Sequence, residues 1–244
     1  MERYRPLYFS LTDGSGGKGV SRVHSTDRLL QRVGARAGAV HGRFTDKEFY
    51  RHVLDGDVEI FTSLASEIAA SFIASEIGWV AGDAMEGFNP AHDICRAIID
   101  SAATIVHETT GRVLANYEFA VHEQGTAAAE SVVSLPVDPE ALDRKLAAAL
   151  ENPDMRTEVL AALESHGSQA FATEYLRPTT LGEMLKRFEA TSPQYEEIGT
   201  ARVRDGRYSR VIRHSLNVLP IISALGVAAG RDLASLEVSA AARS

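Results

Sequence analysis

Asp83-Ala-Met-Glu86-Gly-Phe-Asn89-Pro-Ala-His92-Asp93-Ile-Cys95-Arg96 is the stretch that decides the fold. The apolar run before it, Ile77-Gly-Trp79-Val80-Ala-Gly82, reads as a buried strand. Behind it, Ala97-Ile98-Ile99-Asp100-Ser-Ala102-Ala103-Thr-Ile105-Val106 has the period of a helix packed on one side. A helix is therefore expected from His92 to about Thr110. Strand, polar loop and helix in that order belong to an α/β protein, where ligands collect at the carboxyl ends of the strands. The loop holds the carboxylates of Asp83, Glu86 and Asp93, the amide of Asn89 and the imidazole of His92.

Composition sets the bounds. The chain has 244 residues, is 45% hydrophobic and 24% charged, and has a formal net charge of -8. That length and polarity suit one domain with its own core, so residues 1–244 are expected to form a single domain. The negative balance argues against a nucleic-acid binder, which shows a basic face. No apolar run approaches the ~20 residues of a membrane span. Basic residues open the chain, but no apolar signal core follows, so a cytoplasmic location is expected. Cys95 is the one cysteine, which leaves no internal disulfide and no cysteine-rich zinc site.

Outward from the centre, Leu7–Leu11 is a β-prone run that ends in Thr12-Asp13-Gly14-Ser15-Gly16-Gly17-Lys18-Gly19. Ser21–Val33 reads as a helix, which makes the opening of a βαβ unit. The backbone N–H groups of that glycine loop are a candidate anion cradle, with a plain turn as the alternative. Ala39-Val40 suggests a short strand. Thr45-Asp-Lys-Glu48 is a capping box that opens a helix to Leu54. Ile60, Phe61, Leu64, Ile68 and Phe72 place a second helix over Val58–Ile73. Val113–His122 and Val132–Leu135 alternate like strands, and Asp138-Pro139 is an N-cap and first-turn pair. From Glu140 onward helical spacing dominates, through Phe171 and Tyr175. Pro193-Gln-Tyr195-Glu196-Glu197-Ile-Gly199 opens a last helical region that runs to Leu225, followed by a frayed tail from Ser235.

With these segments in view, the chain resembles the PIG-L/LmbE-like family of zinc-dependent N-acetylglucosaminyl deacetylases and amidases. Leu11-Thr12-Asp13-Gly14 is similar to that family's second strand and turn. Asn89-Pro90-Ala91-His92-Asp93 resembles its His-Pro-Asp-His segment at the head of a helix. The tract Ala141–Ala147, Gly167–Phe171, Glu174-Tyr-Leu-Arg177-Pro178, Tyr195-Glu196, Gly206-Arg-Tyr208 and Val211-Ile-Arg213 resembles the tail of a bacterial subgroup. The resemblance implies an α/β fold with a Rossmann-like three-layer sheet. The order of segments along the chain divides it into a core over 1–137 and C-terminal helices over 138–234, with a flexible tail over 235–244. The resemblance also implies hydrolysis of an amide of a small polar metabolite with Zn2+, and it matches a metal ligand to His92. The family's first strand ends in His-Pro-Asp-Asp, which supplies two ligands and the general base. This sequence contains no such motif, and only Met1-Glu-Arg-Tyr-Arg-Pro6 precedes the strand aligned with the family's second. A missing first strand leaves an edge to be tolerated, filled by another strand or covered by a partner, and an exposed edge favours a homodimer.

The residues define two sets of candidates. Glu86, His92 and Asp93 are the catalytic set: a helix N-terminus favours a neutral imidazole, and Glu86 is placed to approach it as a carboxylate partner. The alternative is that Glu86 and Asp93 compensate the helix dipole and His92 caps the helix. Asp13, Gly14, Ser15, Arg22, Asn89, Glu174, Arg177 and Arg213 are candidate substrate contacts. Arg22, Arg177, Arg207 and Arg213 suit an anion clamp, although Glu174 and Arg177 also have the spacing of a helical ion pair. Asp83 and His122 are further candidate ligands. Phe88 is a candidate cleft wall. A catalytic zinc needs three protein ligands, and one histidine does not hold it. Two functions follow: an amide hydrolase on a deacetylase scaffold, or a binding protein that kept the pocket and lost the metal site.

Overall fold

The computed structural model describes residues 5–16, 19–121, 133–153, 155–179 and 192–230. His122 and the tail from Ser235 lie outside the described residues. The fold is mixed α/β. β1 (Leu7–Thr12) leads through α1 (Val23–Arg32) to β2 (Arg36–Phe44), and the two strands run parallel. A parallel pair needs a crossover, and α1 supplies it. The register slips twice along this pair. At the irregular stretch the Ser10 hydroxyl accepts from Gly42 N–H (3.0 Å) and meets His41 Nδ1 (3.0 Å), while His41 Nε2 lies 2.9 Å from Asp27 of α1.

α2 (Asp46–Asp55) and α3 (Val58–Ala74) follow, then β3 (Trp79–Asp83), α4 (Pro90–Thr110) and β4 (Ala115–Phe119). β3 and β4 are parallel and in continuous register, with α4 as their crossover. β5 (Val133–Pro136), α5 (Pro139–Glu151), α6 (Arg156–His166) and β6 (Thr173–Pro178) come next. β6 lies antiparallel between β4 and β5, which gives a mixed four-stranded sheet in the order β3-β4-β6-β5. The chain then forms α7 (Gln194–Arg204), a π-type turn at His214–Val218, and α8 (Leu219–Ala228). Among the described residues no helix is long and apolar enough to cross a membrane.

Local signals account for many boundaries. Thr45 and Glu48 form the expected capping box on α2, each side chain meeting the other's backbone N–H. Asn89 accepts from Ala91 N–H at the head of α4, with Pro90 in the first turn. α4 ends at Gly111, whose φ of 71° is the left-handed conformation that glycine adopts without a Cβ penalty. Asp138 caps α5 with Pro139 behind it. The core lies where α3, α4 and α8 meet. Phe61, Leu64 and Ile68 pack with Ile94, Ile98, Ile221, Ile222 and Leu225, all at most 2% exposed.

Two expectations need correction. The helical region expected after Glu140 is interrupted by β6, so Glu174 and Arg177 stand on a strand. Residues three apart on a strand point to opposite faces. Glu174 meets Lys145 (2.5 Å) and Arg177 meets Glu118 (3.3 Å), so no helical pair joins them. The strands also fall into two sheets. The open edges of β1 and β3 come near each other without pairing, and Tyr8 on β1 lies within electrostatic range of Asp83 and Cys95. No described strand fills this seam, and Tyr8 and Trp79 are 40% and 49% exposed beside it. Parallel strands are ordinarily covered on both faces, and these two side chains depart from that.

Candidate functional site

The loop after β3 is held from below by Asp93. This carboxylate is 1% exposed, and its Oδ1 accepts from Glu86 N–H (3.1 Å) and Gly87 N–H (3.2 Å). Burial pushes its pKa up to about 7, against the two backbone donors and His92, which pull it down. Its second oxygen, Oδ2, is buried without a hydrogen-bond partner. Asp93 is thus part of the loop's frame. Glu86 accepts from Val121 N–H (2.9 Å), and Gly87 C=O accepts from Tyr195 N–H (3.0 Å), which ties the loop to β4 and α7.

His92 finds its carboxylate in Asp83. His92 Nδ1 lies 2.9 Å from Asp83 Oδ2, with both side chains about one-third exposed. This hydrogen bond raises the imidazole's pKa; burial opposes it, and the charges of Asp83, Asp93 and Glu86 assist it. The helix N-terminus alone predicts the opposite direction. It is worth about 0.3–1 kcal/mol, whereas a charge-assisted hydrogen bond is worth about 1.5–3 kcal/mol, so the carboxylate wins. Glu86 contributes to the field at His92 but is not its nearest acid. In Asp83→Asn, the His92 ring protons are expected to titrate at lower pH than in the wild type, measured by NMR. An unchanged midpoint would show that Asp83 does not govern the imidazole.

A carboxylate on one imidazole nitrogen is how metal-binding histidines are oriented. The rest of a zinc site does not accompany it. Among the described residues no group of three or more His, Cys, Asp or Glu is arranged to hold a metal ion. His92 with Asp83 falls short of the three ligands that a catalytic zinc takes. The donor set of the described residues does not fit zinc. Cys95 adds nothing, since burial pushes its thiol up to about 12, away from the thiolate that binds metal.

The glycine loop does cradle an anion, and the anion belongs to the chain itself. Gly16 N–H donates to Asp46 Oδ2 (2.5 Å), and Ser15 N–H donates to Asp13 Oδ1 (2.9 Å). Ser15 Oγ accepts from Asp46 N–H in return. Gly14 turns at φ 66°, and its missing Cβ leaves room for the Arg22 stem, which would sit 3.3 Å from it. Asp13, Gly14, Ser15 and Arg22 are therefore brought together as one turn.

A cleft of about 1040 Å3 opens beside that turn. Ser15 and Gly16, the first turns of α2, Phe88-Asn89-Pro90, α7 and the segment Arg207–Ile212 enclose it. Asn89 is fixed there by Tyr50, whose hydroxyl donates to Asn89 Oδ1 (3.0 Å). Burial pushes the Tyr50 phenol up to about 12, so it remains a donor at neutral pH. Tyr195 also lines the cleft, and its hydroxyl meets His214 Nδ1 at 3.0 Å. Burial lowers the His214 pKa, which keeps a neutral ring able to accept from tyrosine.

No family model matches the chain, and no curated protein matches it. A solved deacetylase is similar. It is the A40926 pseudoaglycone deacetylase Dbv21, at 20% identity and a TM-score of 0.43, covering 64% of this chain and 68% of that one.

Of the residues singled out in the sequence, Ser15, Asn89, Phe88 and Arg207 line the cleft, and Asp13, Gly14 and Arg22 stand behind its glycine turn. Glu86, His92 and Asp93 lie on or under the adjoining loop and are not on the cleft wall. Arg213 pairs with Glu196 (3.0 Å) in a smaller pocket along α7. Glu174 and Arg177 belong to the sheet. Lys47, Arg51, Arg202 and Arg210 escaped the sequence reading, although Arg202-Val-Arg204-Asp-Gly-Arg207-Tyr-Ser-Arg210 is a dense cationic run in an acidic chain. That run was the signal.

Proposed function

We propose that this protein binds a small polar metabolite in the cleft between the glycine turn, α2 and α7, and does not carry out zinc-dependent amide hydrolysis. One observation carries the reading. The cleft has the volume of a ligand site and stands at the carboxyl end of β1 and β2, while the histidine matched to a zinc ligand bonds Asp83 and joins no group of three metal-binding side chains among the described residues. The deacetylase resemblance implies N-acyl hydrolysis by metal and water; the donor set does not support it.

A second reading has its own support in the 2.9 Å contact between His92 and Asp83. An imidazole whose charged form is favoured by a carboxylate is a candidate general acid, and it stands in the first turn of α4, which Asn89 of the cleft wall caps. In that case the protein acts on its ligand by metal-free proton transfer.

Elemental analysis of untagged protein supplied with zinc tests the main reading. The expected zinc content is well below one per chain and the same in His92→Ala. Incubation with N-acetylglucosamine is expected to release no acetate. A thermal-shift screen of polar metabolites is expected to give a ligand whose effect is lost in Tyr208→Ala. About one zinc per chain, absent from the His92→Ala variant, would restore the hydrolase reading.

A further inference from the structure

The cleft is cationic in a chain that is not. The net charge is -8, yet the cleft is lined by Lys47, Arg51, Arg202, Arg207 and Arg210, against the acids Asp46 and Glu48. Both acids are engaged at the backbone. Asp46 takes the Gly16 N–H, and Glu48 closes the capping box on Thr45. Two of the arginines are held in place. Arg202 donates to the Tyr208 hydroxyl (2.9 Å) and lies 5.3 Å from the centre of that ring. Arg210 is paired with Asp55 at 2.8 Å. Lys47 and Arg207 form no ion pair with any described residue. The charge on α7 has one structural explanation, since arginines in a last turn compensate the helix dipole. That covers Arg202 and not Lys47, Arg51 or Arg207, which stand on other elements.

Tyr50 joins the two cationic walls. It lies within electrostatic range of Asp46, which neighbours Lys47, and of Arg202 and Tyr208. The backbone N–H groups of Arg207 and Tyr208 both donate to the C=O of Arg202, which brings the Arg207 backbone against the end of α7. The cations therefore surround one region. A guanidinium offers a fork of donors that matches the oxygens of a phosphate or sulfate. Phe88 and Tyr208, 39% and 50% exposed, add aromatic surface to the same walls.

Resting on the reading of this cleft as a ligand site, we propose that its ligand is an organic oxyanion ester, a phosphate or sulfate monoester with an aromatic or sugar body. The oxyanion is held by Arg207 and Arg202 with Lys47, and the body lies against Phe88 and Tyr208. The described part of the glycine turn does not hold the oxyanion, because Asp13 and Asp46 already take the Ser15 and Gly16 N–H groups.

Calorimetric titration with phenyl phosphate, phenyl sulfate and uncharged phenyl β-glucoside tests this. The proteins are the wild type, Arg207→Ala, the double variant Lys47→Ala/Arg207→Ala, and Arg144→Ala. Arg144 is an exposed α5 residue paired with Glu140, so its variant removes the same charge away from the cleft. At least one of the two esters is expected to bind, and a preference between them separates phosphate from sulfate. Losing a charge-assisted contact is expected to weaken binding roughly tenfold or more in Arg207→Ala and further in the double variant. Arg144→Ala is expected to change it less than about twofold. Unchanged melting temperatures would show that each variant is folded. Binding of the glucoside as tightly as the esters would overturn the oxyanion inference and leave the cleft reading standing. Ester binding that Arg207→Ala and the double variant do not weaken, or the absence of ester binding, would overturn the inference too.

Discussion

Arg96→Ala is expected to destabilise the folded state by about 3–5 kcal/mol, the cost of leaving a buried partner charge uncompensated. For a chain of this length that corresponds to a melting temperature lower by roughly 10 °C or more. Arg96 is fully buried on α4. Its guanidinium donates to Asp100 Oδ1 (2.8 Å), to Asn116 Oδ1 (2.6 Å) and to the Tyr117 carbonyl (2.8 Å). It thereby joins the helix to β4 in the layer beneath the sheet. Asp100 is 3% exposed, and burial pushes its pKa up even with Arg96 beside it. Without the guanidinium that carboxyl must fold protonated or pay the full cost of desolvation. The double variant Arg96→Met/Asp100→Leu removes both charges and is expected to recover at least half of the loss, because well-packed apolar replacements of buried pairs are often neutral. Thermal unfolding of the three proteins measures this. A shift below about 3 °C in Arg96→Ala would show that water reaches the cluster and screens it.

The second large effect lies at Asp93 and depends on pH. Its folded pKa of about 7 stands above the ordinary value near 3.8. The folded state thus holds a proton that the unfolded state has released. The stability from that proton is fully present below the unfolded value and is lost as pH rises through the folded one. The window is therefore pH 4 to 7, with a loss of up to about 4 kcal/mol across it, at 1.36 kcal/mol per unit. Asparagine keeps the Oδ1 acceptor for Glu86 and Gly87 and carries no charge. Asp93→Asn is expected to flatten the dependence of stability on pH between 4 and 7, as measured by urea unfolding across that range. Asp93→Ala removes the acceptor from both N–H groups and is expected to lie about 2–4 kcal/mol below Asp93→Asn at every pH. His92 and Asp100, with their raised pKa values, also lose stability as pH rises, and His214, with its lowered pKa, gains it, so the wild-type curve sums several groups. The difference between wild type and Asp93→Asn isolates the carboxyl. Parallel curves would mean that Asp93 is ionised throughout.

Much of the architecture was legible because its signals are local. Thr45 and Glu48, and Asp138 and Pro139, set two helix starts within a single turn of chain, where capping energies act; α4, expected from His92, starts two residues earlier, where Asn89 caps it. The periodicity of Phe61, Leu64 and Ile68 placed α3 and its buried face. β6 was not legible. Thr173-Glu-Tyr-Leu-Arg-Pro178 is too short for its period to distinguish strand from helix, and pairing with β4 and β5 decided it. The same limit applies to His92. Its place at a helix N-terminus predicted a depressed pKa, and the fold brought Asp83 within 2.9 Å and reversed the sign.

What the sequence by itself determined is the α/β class, most element boundaries and the loop from Asp83 to Asp93 as a polar centre, since each follows from neighbours a few residues apart. The absence of a His-Pro-Asp-Asp motif is equally a property of the sequence alone. Only the tertiary structure decided that β1 and β3 stay unpaired, that Asp93 carries the loop from below, and that Lys47 of α2 and Arg202 of α7 line one cleft. These depend on which elements the buried faces of α3, α4 and α8 bring together. Hydrophobic packing is non-directional along the chain, so side chains far apart in sequence acquire a common site only once the core has formed.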